Sequence, residues 1–299
     1  MRKRHHVIVA AVLLNLFALS LGAQTPQVII QPTTQTKQEL TKALREFRDK
    51  NDRQGEAVTL LQLGMTVAGL GDVAGARSNL TEAVEKMRAQ NDFVGTWMAL
   101  MTLGQLELLL GRSSEAVSYL ESALTVLSDA KSSTAPFRIK TVMAVGSAAG
   151  FSAEMFQTLD DAQAGMLKLQ AIQFSFEPMT HDLYGSALTQ AGKLEQAEAA
   201  LKAAAAASIY SQGMYDFSID SHFGDLYFRQ ERYDDARAHY IKALNASSKA
   251  ALPAAADRQI KAGIYDRLVR LEEITHHPEE AKRWSQKAAE LGRKQAGSR

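Results

Sequence analysis

The chain has 299 residues, 46% hydrophobic and 22% charged, with a formal charge of +1 and no cysteine. The missing cysteine removes thiol catalysis, disulfide frameworks, Cys-ligated zinc and iron–sulfur chemistry. The near-neutral balance turns slightly negative once Arg2, Lys3 and Arg4 are set aside, and no later Lys/Arg run offers a stripe for a nucleic-acid backbone.

Residues 1–23 have the layout of a secretory signal. Met1 to His6 is a positive leader, Val7 to Leu21 is apolar but for Asn15 and Ser20, and Leu21-Gly22-Ala23 ends on a small residue. The apolar run is about 15 residues, shorter than the ~20 that span a bilayer. The expected location is periplasmic or secreted, and an uncleaved signal would anchor the chain in the membrane. Residues 24–36, with Pro26 and Pro32, read as a flexible linker. Residues 37–51 read as an amphipathic capping helix, with Leu40, Leu44 and Phe47 at helical spacing.

Over residues 52–295 one frame recurs six times. It runs Leu63-Gly64, Ala76, Leu80, Ala83, then Leu103-Gly104, Ala116, Leu120, Ala123. Next come Ala149-Gly150, Ala162, Met166, Leu169, and Tyr184-Gly185, Ala197, Leu201, Ala204. Phe223-Gly224, Ala236, Tyr240, Ala243 follow, and a worn copy closes the series at Leu268-Val269, Ala281, Ser285, Ala288. Copies start roughly 35 to 46 residues apart, the signature of a helical repeat array. Glycine mid-helix costs about 1 kcal/mol against alanine. Five glycines in one slot therefore predict another backbone passing too close for a Cβ. The three later positions lie four and three apart, on one face of a second helix. Turn signals separate the two helices at Gly69-Leu70-Gly71-Asp72, Leu110-Gly111-Arg112, Ala191-Gly192-Lys193 and Gln230-Glu231-Arg232. Ser132 to Pro136 interrupts the array after the second copy, and residues 296–299 read as a disordered tail.

No catalytic motif recurs with the frame. Gly69 to Gly75 follows a helix and has the wrong glycine spacing for a dinucleotide loop, and Gly146 to Gly150 has a misplaced serine for a nucleophile elbow. His276-His277-Pro278-Glu279-Glu280 packs imidazoles and carboxylates into one turn, but adjacent side chains diverge and no distant third ligand is supplied. No catalytic residue, metal site or cofactor is predicted. His181 and His222 fall near the same slot of successive copies and are placed to stack. Asp160-Asp161 and Asp234-Asp235 are placed to cap second helices.

The frame resembles the tetratricopeptide repeat, in a variant of long spacing. Leu60, Leu63, Gly64, Val67, Ala76, Leu80 and Ala83 match its pattern, while Gly146, Asp220 and Glu107 stand where it has large apolar or aromatic residues. The resemblance implies an all-α right-handed superhelix of about six helix pairs plus the half-repeat cap. It further implies a concave groove lined by the first helices, with Leu61, Met65, Met98, Met101 and Gln105 at an apolar end and Asp182, Asp225 and Arg229 at a charged end. Methionines suit a surface that adapts to different apolar partners. The lysine and asparagine pair by which some members clamp a peptide carboxylate is missing. The expected function is that of an exported, non-enzymatic scaffold gripping a protein or peptide segment. A small-molecule or lipid-binding array is the first alternative. The second is an accessory subunit of a separately encoded envelope enzyme or export complex.

Overall fold

A computed structural model describes residues 33–133, 161–211, 213–250 and 252–296. The signal at 1–23, most of the linker, Gly146, Gly150, Asp160 and the break after Ser133 lie outside them, as do residues 297–299. All the regular structure described is helical, and it divides into two compact units, Met1–Thr180 and His181–Arg299. Among the described residues no helix is long and apolar enough to cross a membrane.

The first unit starts with α1 (Thr34–Asp49), three residues earlier than the linker reading placed it, because the Thr33 side chain caps the Thr36 N–H. Two helix pairs follow, α2 (Arg53–Gly69) with α3 (Val73–Ala89) and α4 (Phe93–Leu109) with α5 (Ser113–Ser132). The turns are regular because their chemistry repeats every twenty residues. Asn51, Gly71, Asn91 and Gly111 each take a positive φ. Beyond Gly71 the backbone closes a Schellman motif, Gly71 N–H donating to Ala68 O at 3.0 Å and Asp72 N–H to Val67 O at 2.9 Å. Asp52, Asp72 and Asp92 then cap the next helix, accepting from the N–H groups of Gly55, Gly75 and Gly95 at 2.9 Å each.

The recurring frame is the packing surface. Leu60, Leu63, Val67, Ala76, Leu80 and Ala83 are all buried, as are Leu103, Ala116, Leu120 and Ala123. The glycine slot faces a side chain first, with the partner backbone close behind it at Gly64 and Gly185, where Leu80 N and Ala197 O each lie 3.3 Å from a Cβ. A Cβ on Gly64 would lie 2.6 Å from Leu80 Cγ, and one on Gly104 2.7 Å from Leu120 Cγ. The larger residue of the triplet is thus a knob seated on the partner's glycine, where burial of a leucine contributes about 1.5–3 kcal/mol.

The third frame departs from expectation. Its second-helix residues sit on α6 (Asp161–Ala171), but Met166 is 61% and Leu169 40% exposed. No turn follows. The chain runs through a π-helical turn (Ile172–Phe176) directly into α7 (Glu177–Gln190), so α6 prolongs the helix of the fourth frame. Residues 170–177 hold no glycine, proline, asparagine or aspartate. Pro178 has no N–H to return to the Phe174 carbonyl, and Glu177 N–H reaches back to Ile172 O in the wider ring. Phe176 stacks on Trp97 of α4 with centroids 4.2 Å apart, and Trp97 Nε1 donates to Thr180 Oγ1 at 2.8 Å. Lys131 pairs with Glu177.

In the second unit α7 pairs with α8 (Leu194–Ser208), α9 (Asp216–Arg229) with α10 (Tyr233–Lys249), and α11 (Ala254–Ile274) with α12 (Pro278–Ala296). Leu201 meets Gly185 and Tyr240 meets Gly224 in the same slot. Gly192, Glu231 and His276 supply the positive φ of the turns. The worn sixth copy is only half right. Leu268 and Ala281 are buried, but Ser285 is exposed, because Trp284 turns inward to stack on Tyr265 at 5.8 Å.

Candidate interaction site

The eight residues assigned to the groove have very different surroundings. Leu61, Met98 and Met101 are 0%, 4% and 5% exposed, so these three are packed core in the first unit. Met65 and Gln105 are half-buried. Helices α2 and α4 are apolar nearly all round and give no sign of which face stays open, so only the family resemblance points these residues to a groove.

Asp182 and Asp225, unlike the exposed Arg229, belong to a hydrogen-bonded seam joining the first helices of the second unit. Asp182 on α7 is 6% exposed and accepts Ser218 Oγ at 2.5 Å and His222 Nδ1 at 2.7 Å, both from α9. His222 thus engages a carboxylate, where the sequence suggested stacking with His181. One repeat further, Asp225 on α9 takes two bonds from the Arg267 guanidinium of α11, at 2.7 and 3.0 Å, and one from the Tyr240 hydroxyl at 2.9 Å. His222 and Arg267 hold the same address, immediately before Phe223-Gly224 and Leu268-Val269. A base in that slot reaching back to an aspartate one repeat earlier is the signal that sequence reading missed.

The energetics follow from this pairing. Burial pulls the His222 imidazole down, but the charge and hydrogen bond of Asp182, helped by Asp225, outweigh it and hold the imidazolium above its ordinary value. Burial and the Asp225 carboxylate push the Tyr240 phenol up, so it remains a donor. Asp220, a departure from the frame, is accounted for in the same way: it meets His239 Nδ1 at 2.8 Å, and that imidazole lies against Phe223 and Tyr227.

A second set of pairs ties second helices to the next repeat. Glu107 and Glu272 occupy one frame position, both buried. Arg77 Nε donates to Glu107 at 2.8 Å, and Arg237 makes two bonds to Glu272 at 2.8 and 2.9 Å. Burial alone would raise the Glu272 carboxyl, but Arg237 and then His277 hold it below the usual range. Asp234 and Asp235, expected as helix caps, instead bind Arg237 and Arg232. Arg232 is the residue at the cap position and has no capping side-chain bond.

Among the residues exposed on α9 and α11 are Arg229 and Arg270, the latter 5.3 Å above the Phe228 ring, together with the acidic Asp216, Asp266 and Glu273. Among the described residues no group of three His, Asp or Glu is placed to hold a metal. Ser218, Asp182 and His222 do not form a hydrolytic triad, since serine and imidazole both bind the carboxylate and the serine has no base beside it. The first unit holds a cleft of about 600 Å³, with Asp92, Thr96 and Lys168 buried at its base and Arg88, Phe93 and Asp129 around it. Lys168 there donates to the Ser133 carbonyl at the end of α5.

Stacked helix pairs with a small-residue slot and one knob per pair define a tandem helical repeat protein. Residues 61–136 and residues 222–249 each match a tetratricopeptide repeat family model. The chain is a tetratricopeptide repeat protein. No curated protein matches it. Among solved structures, the crystal structure of BtubC (BKLC) from P. vanneervenii is similar, with a TM-score of 0.58 and 14% sequence identity over 88% of this chain and 92% of that one. At that identity the likeness speaks for the fold.

Proposed function

We propose that this is an exported, non-enzymatic scaffold whose second unit grips a segment of a partner protein. Tetratricopeptide repeats generally mediate protein–protein interaction, and the repeat matches carry this reading. The leader at residues 1–23 supports export to the periplasm or beyond. With Leu61, Met98 and Met101 buried, the partner's contacts fall on Arg229, Arg270, Phe228 and the flanks of Asp225, with Met65 and Gln105 as the accessible part of the other end. Asp182 and Asp225 orient these groups through the seam and do not touch the partner. A photo-crosslinking residue at Arg229, compared with one at exposed Lys242 on the second helix α10, tests this in the source cell. One discrete protein adduct from position 229 and none from 242 is the expected result. Equal labelling from both positions contradicts it.

The cleft of about 600 Å³ favours a small-molecule reading as the alternative, since it falls in the size range of ligand sites and has buried polar groups at its base. A low-molecular-weight compound carried through purification, lost from Lys168→Met, would decide for it.

A further inference from the structure

We propose that the joint between α7 and α9 is a proton-operated latch, in which an imidazolium at His222 holds the buried Asp182 carboxylate and loss of that proton loosens α9 from α7.

Three observations lead there. Asp182 is nearly sealed from water, and its two recorded donors, Ser218 and His222, lie one helical turn apart on the same neighbouring helix. A carboxylate so placed depends on a charged partner, because a buried charge left with neutral donors alone is strongly disfavoured. The surrounding groups offer no substitute. From α7 His222 meets Asp182, from its own helix Asp225, and from α11 Arg267. Arg267 is already bound through two nitrogens to Asp225. The histidines are also unevenly placed. Apart from His5 and His6 in the leader, all of them fall at or after residue 181, so the first unit carries none between residues 7 and 180. A response confined to the second unit is therefore built into the composition.

The folded value of His222 lies above its ordinary 6.5. The stabilisation is thus complete below about pH 6.5 and is lost as pH rises through the higher folded value. Since α9 also carries Asp225 and Arg229, the proposed partner surface would be firm in acid to neutral medium and loosened in alkaline medium. That consequence rests on the interaction reading; the latch itself does not.

The test is hydrogen exchange by mass spectrometry on the full chain at pH 5.5 and 8.5, corrected for intrinsic chemical exchange, with no partner present. Protection in Asp216–Arg229 should fall several-fold at the higher pH while that in Phe93–Leu109 holds. His222→Gln, which offers a neutral donor at every pH, should erase the difference between the two conditions. Titrating His222 in the unaltered chain by NMR serves where the variant folds poorly, and a midpoint above that of a model histidine is expected. Equal protection at both values, a loss shared by Phe93–Leu109, a full response in His222→Gln, or a midpoint at or below the ordinary value would each overturn the latch.

Discussion

Beside the Leu-Gly slot of the first unit, Leu61, Met98 and Met101 are buried and Trp97 stacks on Phe176. At the corresponding helices of the second unit the polar Asp182, Ser186 and Ser221 are buried among apolar groups such as Phe217, Ile219 and Leu226, with His222 and Arg267 reaching back one repeat. Both units use the same knob on a glycine, so the frame sets how one pair is closed and leaves open how pairs are joined. The first helices of the first unit meet mainly through dispersion and apolar burial, while Arg77 and the buried Glu107 tie α3 to α4 as an ion pair. The second unit has an apolar cluster of Ala236, Tyr240, Ala243, Ile264, Leu268 and Leu271. To it are added charged contacts between the first helices, and salt and pH can address those charged contacts. A tandem repeat can therefore keep one architecture while varying how far the contacts between its first helices depend on charge.

Substitutions break this comparison on one side at a time. The largest effect belongs to Trp97→Ala, expected to cost about 3–5 kcal/mol through a cavity and a lost bond to Thr180. Urea dependence of hydrogen exchange should place that loss in the first unit alone. Gly104→Val drives a Cβ against Leu120 and should cost about 1–3 kcal/mol, and Gly224→Val against Tyr240 about the same in the second unit. Matching costs in both units are expected because the slot is common to them. Asp225→Ala leaves the partly exposed Arg267 and the buried Tyr240 without their acceptor, and a loss of about 1–3 kcal/mol is expected, partly restored in Asp225→Asn. Asp72→Ala removes a cap and should cost about 1 kcal/mol by thermal unfolding. The bond from Gly75 N–H, then Lys37, holds the Asp72 carboxyl below its ordinary 3.8. Its contribution is thus present above that value and disappears as pH falls through the depressed one. The smallest effect is a gain: Glu231 sits at φ 61°, and Glu231→Gly should stabilise by about 0.5–1 kcal/mol.

Much of this was legible in the residues. Periodic Leu-Gly and Ala positions located the helix pairs at frames one, two, four and five, because close packing admits few residue types there. Glycine marked three turns for the same reason. The fold of the third frame was not legible, since a π turn arises from what residues 170–177 lack and from one proline's missing donor. The exposed or covered state of Met98 and Met101 was equally hidden, because an all-apolar helix carries no label for its open face. The charged seam was half visible: Asp182 and Asp225 were selected, but as partner contacts. Their partners in the next repeat lie 36 to 42 residues away, a distance only the stacking of repeats brings into contact. Glu107 and Asp220 looked like departures from the pattern and are instead buried or half-buried ends of ion pairs.

The claim that the first helices of the second unit depend on charged contacts, and those of the first unit mainly on apolar ones, is tested most directly by following hydrogen exchange of the whole chain in 0.05 M and 1 M sodium chloride. Screening weakens partly exposed ion pairs and leaves apolar contacts standing. Protection should fall in Asp216–Arg229 and Ala254–Ile274 at high salt and hold in Arg53–Gly69 and Phe93–Leu109. A uniform response, or a loss concentrated in the first unit, would contradict the account.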